Sequence, residues 1–118
     1  MPWKPITIEN LNDLVQEAEK ELNAELLNFW QLIRINPEKW IEETQEVNGF
    51  WAVGLIGKQV IWYNDIEEGF NISSYKAYGT IDEYFCNQDK LTWTVNRLYQ
   101  VIKFGEDIIG DAGPPISI

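Results

Sequence analysis

The chain has 118 residues, with 9 Lys and Arg against 19 Asp and Glu, one Cys, six Trp and no His. The length suits one domain that buries roughly two-thirds of its unfolded surface; the missing His removes Ser–His–Asp triads, Cys–His dyads and His-ligated metals or haem, and a single Cys removes intrachain disulfides and Cys-ligated zinc. A formal charge of −10 opposes direct binding to DNA or RNA backbones, which requires clustered Lys and Arg.

In chain order, the first predicted element is a long helix from Asn10 to Ile35. Asn10 suits an N-cap, and Leu11, Leu14, Val15, Ala18, Leu22, Leu26, Phe29 and Ile33 recur at helical spacing to make one apolar stripe. Asn36-Pro37 ends it, since the residue before proline disfavours the helical region. An antiparallel meander follows. Its strands are Trp40–Val47 (or a short helix there, capped by Asn36-Pro37-Glu38), Phe50–Ile56, Gln59–Tyr63 and Gly69–Tyr78, with Asn48-Gly49 and Gly57-Lys58 as hairpin turns. Phe50–Ile56 and Val60–Tyr63 are apolar on consecutive residues, the pattern of central strands covered on both faces. Thr80-Ile81-Asp82-Glu83 reads as a capping box that opens a short helix Ile81–Phe85. A last helix starts at Asn87 or Asp89 and runs to about Phe104, with Leu91, Val95, Leu98 and Ile102 on its core face and Gly105 as its stop. The order is α-ββββ-αα, an α+β fold of helices on an antiparallel sheet. One domain is expected over 1–118, with an ordered core from about Ile6 to about Phe104 and an apolar tail over 105–118.

Met1-Pro2-Trp3-Lys4-Pro5 carries no apolar leader run, and no stretch approaches a membrane-spanning length. A cytoplasmic protein with no membrane and no nucleic-acid partner is the expectation. The acids are not confined to a tail. Residues 1–59 hold ten acids and five bases, and residues 60–118 hold nine and four, so each half carries −5. Any special role must come from local grouping.

One grouping is the row Glu9, Asp13, Glu17 and Glu21, spaced by four on the helix face opposite the apolar stripe. Like charges at that spacing repel by about 0.2–0.5 kcal/mol per pair. The row is either a solvated outer face or a docking surface for a basic protein partner. Glu25 continues it to the edge of the stripe, where it either reaches solvent or pairs with a base, or is partly buried with a raised pKa. A pocket between helix and sheet is the alternative functional reading, with Glu25, Trp62 and Tyr63 as its lining. The loop acids Asp65, Glu67 and Glu68 precede Gly69, but they do not complete a calcium-loop pattern, and a turn capping a strand pair is the plainer reading. No phosphate-cradling glycine motif or nucleophile elbow occurs, and no metal site or cofactor is expected.

Trp93 lies on the far side of the last helix from Leu91, Val95, Leu98 and Ile102, with Arg97 one turn along. Trp and Arg are favoured anchors of protein contacts, so this face is a candidate partner surface, with a homodimer as its simplest form. Cys86 is expected to be a buried, inert thiol. The reading that emerges is a small acidic protein that binds another protein, of the inhibitor or immunity type with a basic partner, and more plausibly a binder than an enzyme.

Overall fold

In the computed structural model of the chain, residues 4–45 and 49–105 are described. Helices α1 (Ile8–Glu21) and α2 (Ala24–Ile33) come first. Strands β1 (Arg34–Trp40), β2 (Phe50–Ile56), β3 (Gln59–Asn64) and β4 (Gly69–Ser74) follow, and helix α3 (Leu91–Phe104) closes the described chain. The strands pair antiparallel in the order β1-β2-β3-β4. This is an α+β fold in which helices precede and follow a four-stranded meander, as the patterning predicts, although several elements differ in detail. Among the described residues no helix is long and apolar enough to cross a membrane.

The expected single helix Asn10–Ile35 is two helices. Its cap is Thr7, whose hydroxyl accepts from the Asn10 amide at 3.1 Å. The backbone leaves the helical region at Leu22 and Asn23, with ψ of 136° and 173°. Asn23 then caps α2 by accepting from the Leu26 amide at 2.9 Å. Asn side chains offer the backbone this alternative to a continued helix. The apolar periodicity runs across the break because both helices serve the same core. Leu11, Val15 and Ala18 from α1 pack with Trp30 and Ile33 from α2.

The first strand lies earlier than the expected Trp40–Val47. Arg34 to Trp40 pair with β2, with a register shift between Arg34 and Glu38. Proline cannot donate to a ladder, but it is tolerated at a sheet edge and at bulges, and Pro37 sits at both. Val47 and Asn48 of the expected strand and hairpin, and the tail over 106–118, lie outside the described residues.

Successive residues of β2 and β3 face opposite sides of the sheet. Val53, Ile61 and Tyr63 join Phe70 and Ile72 of β4 and Leu91, Val95 and Leu98 of α3 in the core shared with α1 and α2. Phe50, Ala52, Val60 and Trp62 face the other way and pack with Trp40. That second face is covered without a helix. The irregular segment 75–90 crosses it, contributing Ile81, Tyr75 and Tyr84.

The expected helix Ile81–Phe85 and its capping box do not form, because side chains from the sheet pin this strap in an extended course. The Glu83 carboxylate accepts from the Ser74 amide at 3.1 Å and from the Ser74 hydroxyl at 2.7 Å. Ser73 donates to the Glu83 carbonyl at 2.7 Å, and Asn64 to the Phe85 carbonyl at 2.9 Å. Asn71 donates to the Asn87 carbonyl at 3.2 Å and accepts from the Asn87 amide at 3.0 Å. With Ser74 held in this way, β4 ends there instead of at Tyr78.

The Phe70 amide donates to the Asp89 carbonyl at 2.9 Å, so the strap adds one antiparallel bridge to β4 and α3 starts only at Leu91. Its core face is Leu91, Thr94, Val95, Leu98 and Val101, and Ile102 is exposed instead of buried. Gly105 closes α3 with φ of 76°, as predicted. Cys86 is exposed, against the expectation of a buried thiol, because the strap turns only some of its side chains to the sheet.

Gly69 is where strap and sheet approach most closely. A Cβ there would lie 2.1 Å from the Asn87 carbonyl oxygen and 2.3 Å from Gln88 Cα. Gly69→Ala is therefore expected to lower stability by about 1–3 kcal/mol, the usual range for forced overpacking. Urea unfolding checks this. An unchanged midpoint would mean that the strap is not held against β4.

Candidate functional site: an acidic groove at Tyr63

Glu9, Asp13, Glu17 and Glu21 are all exposed along α1. Lys20 lies 3.2 Å from the Glu17 carboxylate, and both side chains are solvated, so this pair relieves little of the repulsion. The row ends with the helix. Glu25 belongs to α2, where it is exposed and accepts from the Tyr99 hydroxyl, with Lys103 Nζ at 3.4 Å. These partners hold its pKa below the ordinary Glu value, first through the Tyr99 hydrogen bond and then through the Lys103 charge. Of the two readings of Glu25, the exposed carboxylate paired with a base is the one found, and the rise from partial burial is not.

The loop between β3 and β4 is a turn built on Asn64. Its carboxamide oxygen accepts from the Ile66 and Glu67 amides at 3.1 and 3.2 Å, and Glu68 adopts φ of 60° before Gly69. Glu67 is half-buried and Glu68 exposed. Asp65 is buried, and its carboxylate accepts from the Ile6 amide at 2.9 Å, which ties the segment preceding α1 to this turn.

The tie brings the α1 row and the turn acids together. Asp13, Leu14, Tyr63, Asp65 and Glu68 line a cleft of about 610 Å³. Leu14, Glu17, Glu21, Tyr63, Glu68 and Asp89 line a second cavity of about 290 Å³. The two share Leu14, Tyr63 and Glu68, so they form one groove along α1 that meets at Tyr63. Among the described residues, six carboxylates face it (Asp13, Glu17, Glu21, Asp65, Glu68 and Asp89) with two lysines, Lys4 and Lys90. Also among the described residues, no three Asp, Glu, Cys or His lie close enough to hold a metal ion. The groove therefore presents dispersed negative walls over an apolar floor.

Tyr63 is 8% exposed, and its ring packs on Phe70 with centroids 4.8 Å apart. Burial pushes its pKa up, and the charges of Glu68 and Asp65 add to the rise. Burial also raises the pKa of Asp65, against the hydrogen bond from Ile6 and the more distant charge of Lys39.

The pocket expected from Glu25, Trp62 and Tyr63 does not form. Trp62 and Tyr63 are neighbours on β3 and face opposite sides of the sheet. Trp62 is fully buried beneath the strap, where its indole donates to the Ser73 hydroxyl at 2.9 Å. Glu25 lies across the α2–α3 contact. Only Tyr63 of the three reaches the groove. Trp93 is 62% exposed on α3. Arg97 lines a narrow crevice with Phe70, Asn71 and Asp89. Leu14 and Asp89 are groove residues that the sequence reading missed. Leu14 belongs to the apolar stripe by its spacing, yet it is 39% exposed, and Asp89 carries no sequence signal beyond a helix start.

The two shifted carboxyls give a pH prediction. The folded pKa of Asp65 is raised above its unfolded value. Its contribution to stability is thus present below the unfolded pKa and is lost as pH climbs through the folded one. Glu25 behaves oppositely: its folded pKa is depressed, so its contribution is present above the unfolded pKa and lost as pH falls through the folded value. Carboxyl NMR titration should place Asp65 above the ordinary Asp value and Glu25 below the ordinary Glu value. Inverted directions would contradict the burial of the one and the pairing of the other.

Comparison of the chain with protein-family models, with curated proteins and with solved structures finds no match.

Proposed function

We propose that the protein acts by binding a basic protein partner across the acidic face of α1 and the groove beside it, in the manner of an inhibitor or immunity protein. The observation that carries this reading is the convergence of two acidic segments, 13–21 and 65–68, on one groove with an apolar floor. A single-sign concave surface focuses its field and speeds association with the opposite charge. On this reading the protein works in the cytoplasm. Trp93, 62% exposed on the outer side of α3, is proposed as a self-association contact.

The test uses the intact chain and the variant Glu9→Gln, Asp13→Asn, Glu17→Gln, Glu21→Gln, each immobilised and exposed to lysate of the source cells. The native chain should retain a basic protein that added salt releases, and the variant should not. With that protein purified, association should slow about tenfold or more in the variant. The variant should also be as stable as the native chain or slightly more so, since about 0.2–0.5 kcal/mol of repulsion per pair is removed. Equal retention by both chains, or retention indifferent to salt, would refute the docking surface. For self-association, sedimentation should show a dimer that Trp93→Ala converts to monomer. A native chain that sediments as a monomer at every concentration removes that contact.

A further inference from the structure

We infer that the smaller cavity of the groove is a pocket for one arginine side chain of the partner, seated against the Tyr63 hydroxyl. The inference rests on the proposed docking of a basic protein and specifies the chemistry at its centre. The cavity of about 290 Å³ has a floor of Leu14, Ala18, Phe70 and Leu91, and four carboxylates, Glu17, Glu21, Glu68 and Asp89, stand around it against one base, Lys90.

The second and independent observation is Tyr63 itself. The residue is 8% exposed, and its ring is fixed against Phe70. Its hydroxyl makes no hydrogen bond among the described residues, although the residue lines both cavities. The ring is buried while the hydroxyl opens into the groove, where its donor and its acceptor are both available to an incoming group. Burial, and after it the charges of Glu68 and Asp65, push the phenol pKa further up from its ordinary value, so near neutral pH the oxygen is an acceptor and the O–H a donor.

A guanidinium matches this arrangement better than other cations do. Its five N–H donors form a planar fork that can meet a phenol oxygen and carboxylates on different sides at once. It is less strongly hydrated than an ammonium, so it enters a partly apolar cavity at lower cost. Its aliphatic stem can lie along Leu14 and Phe70 while the head reaches the acids. A bare divalent ion would need converging carboxylates, and among the described residues no such group is present.

The test titrates acetyl-Gly-Arg-Gly-amide, and in parallel acetyl-Gly-Lys-Gly-amide, into the full chain at about 0.15 M ionic strength, followed by backbone amide NMR. Saturable shifts are expected at Leu14, Ala18, Tyr63, Glu68 and Leu91, with the arginine peptide binding several-fold tighter. Tyr63→Phe keeps the packed ring and should weaken the arginine peptide by about tenfold, the value of one hydrogen bond to a charged group. Should Tyr63→Phe lose cooperative melting, Glu68→Gln at an exposed position carries the same expectation. Binding unaffected by these variants, or shifts spread along Glu9 to Glu21 with no preference for arginine, would overturn the pocket. A partner captured in a ridge-dependent way by a chain that fails this titration would leave the docking reading standing and remove only the arginine pocket. Peptide binding at Tyr63 with partner capture indifferent to the ridge would do the reverse.

Discussion

The sheet is apolar on both faces, and the helices cover only one of them. Trp40, Phe50, Val60 and Trp62 on the second face must be kept from water by a segment with almost no ladder of its own. A backbone laid over a core without regular structure still has to satisfy its buried amides and carbonyls. Here the sheet does so with side chains. Asn64, Asn71 and Ser73 are almost fully buried, and each reaches the main chain of the strap at Phe85, Asn87 or Glu83. Asn71 and Ser73 alternate with Phe70 and Ile72 on β4, so one strand supplies the helix-side core and the clamp together. The Trp62 indole donates to Ser73, which donates to the strap, so the largest ring on this face is locked into the same network. Partial loss of such a network leaves unpaired buried groups, which cost more than the bonds were worth.

The groove follows from this clamp. Its walls are fixed to one turn: Asp65 holds the Ile6 amide just before α1, Asn64 holds Phe85, and the Phe70 amide holds Asp89 just before α3. The distance from the acidic face of α1 to Asp89 and Leu91 is therefore set by residues 64–71 and by the bare Cα of Gly69. The stretch from Asn64 to Asn71, with three carboxylates and two asparagines, is a structural hub before it is anything else. Its acids reach the groove because the hub places them there.

This explains which features were legible in the sequence. The meander, the turns at Gly57 and Gly105 and the two-sided burial of β2 and β3 depend on local periodicity, and periodicity can be read from a single chain. The break at Leu22-Asn23 was hidden because α1 and α2 bury the same side, so the stripe continues while the backbone does not. The course of β1 was hidden because Pro37, a sound helix stop, is also acceptable at a bulged sheet edge. The strap could not be read at all. Thr80 to Glu83 is a sound capping box locally, and only the long-range demands of Ser73, Ser74 and Asn71 pull it straight. The groove failed for the same reason. The α1 row and the loop acids were each visible, but their convergence depends on the contact between Asp65 and Ile6, 59 positions apart.

The electrostatics of the groove then divide into two parts. Among the described residues, the bases that form ion pairs are engaged by Glu17, Glu19 and Glu25, and Asp13, Glu21, Glu68 and Asp89 form none. Repulsion among these acids is partly screened by water and salt, and an incoming cation would relieve what remains. On the open face of α1 that relief acts over distances near the screening length of about 8 Å at physiological ionic strength, so it governs encounter and is eroded by salt. At Tyr63 the contacts of a seated guanidinium would be short and Leu14 and Phe70 would exclude water from them, so on the proposed reading that interaction would resist salt and govern residence. A partner that engaged only the ridge would bind fast and leave fast. One that also filled the cavity would stay, and that difference is how an evenly acidic protein could single out one basic surface among many.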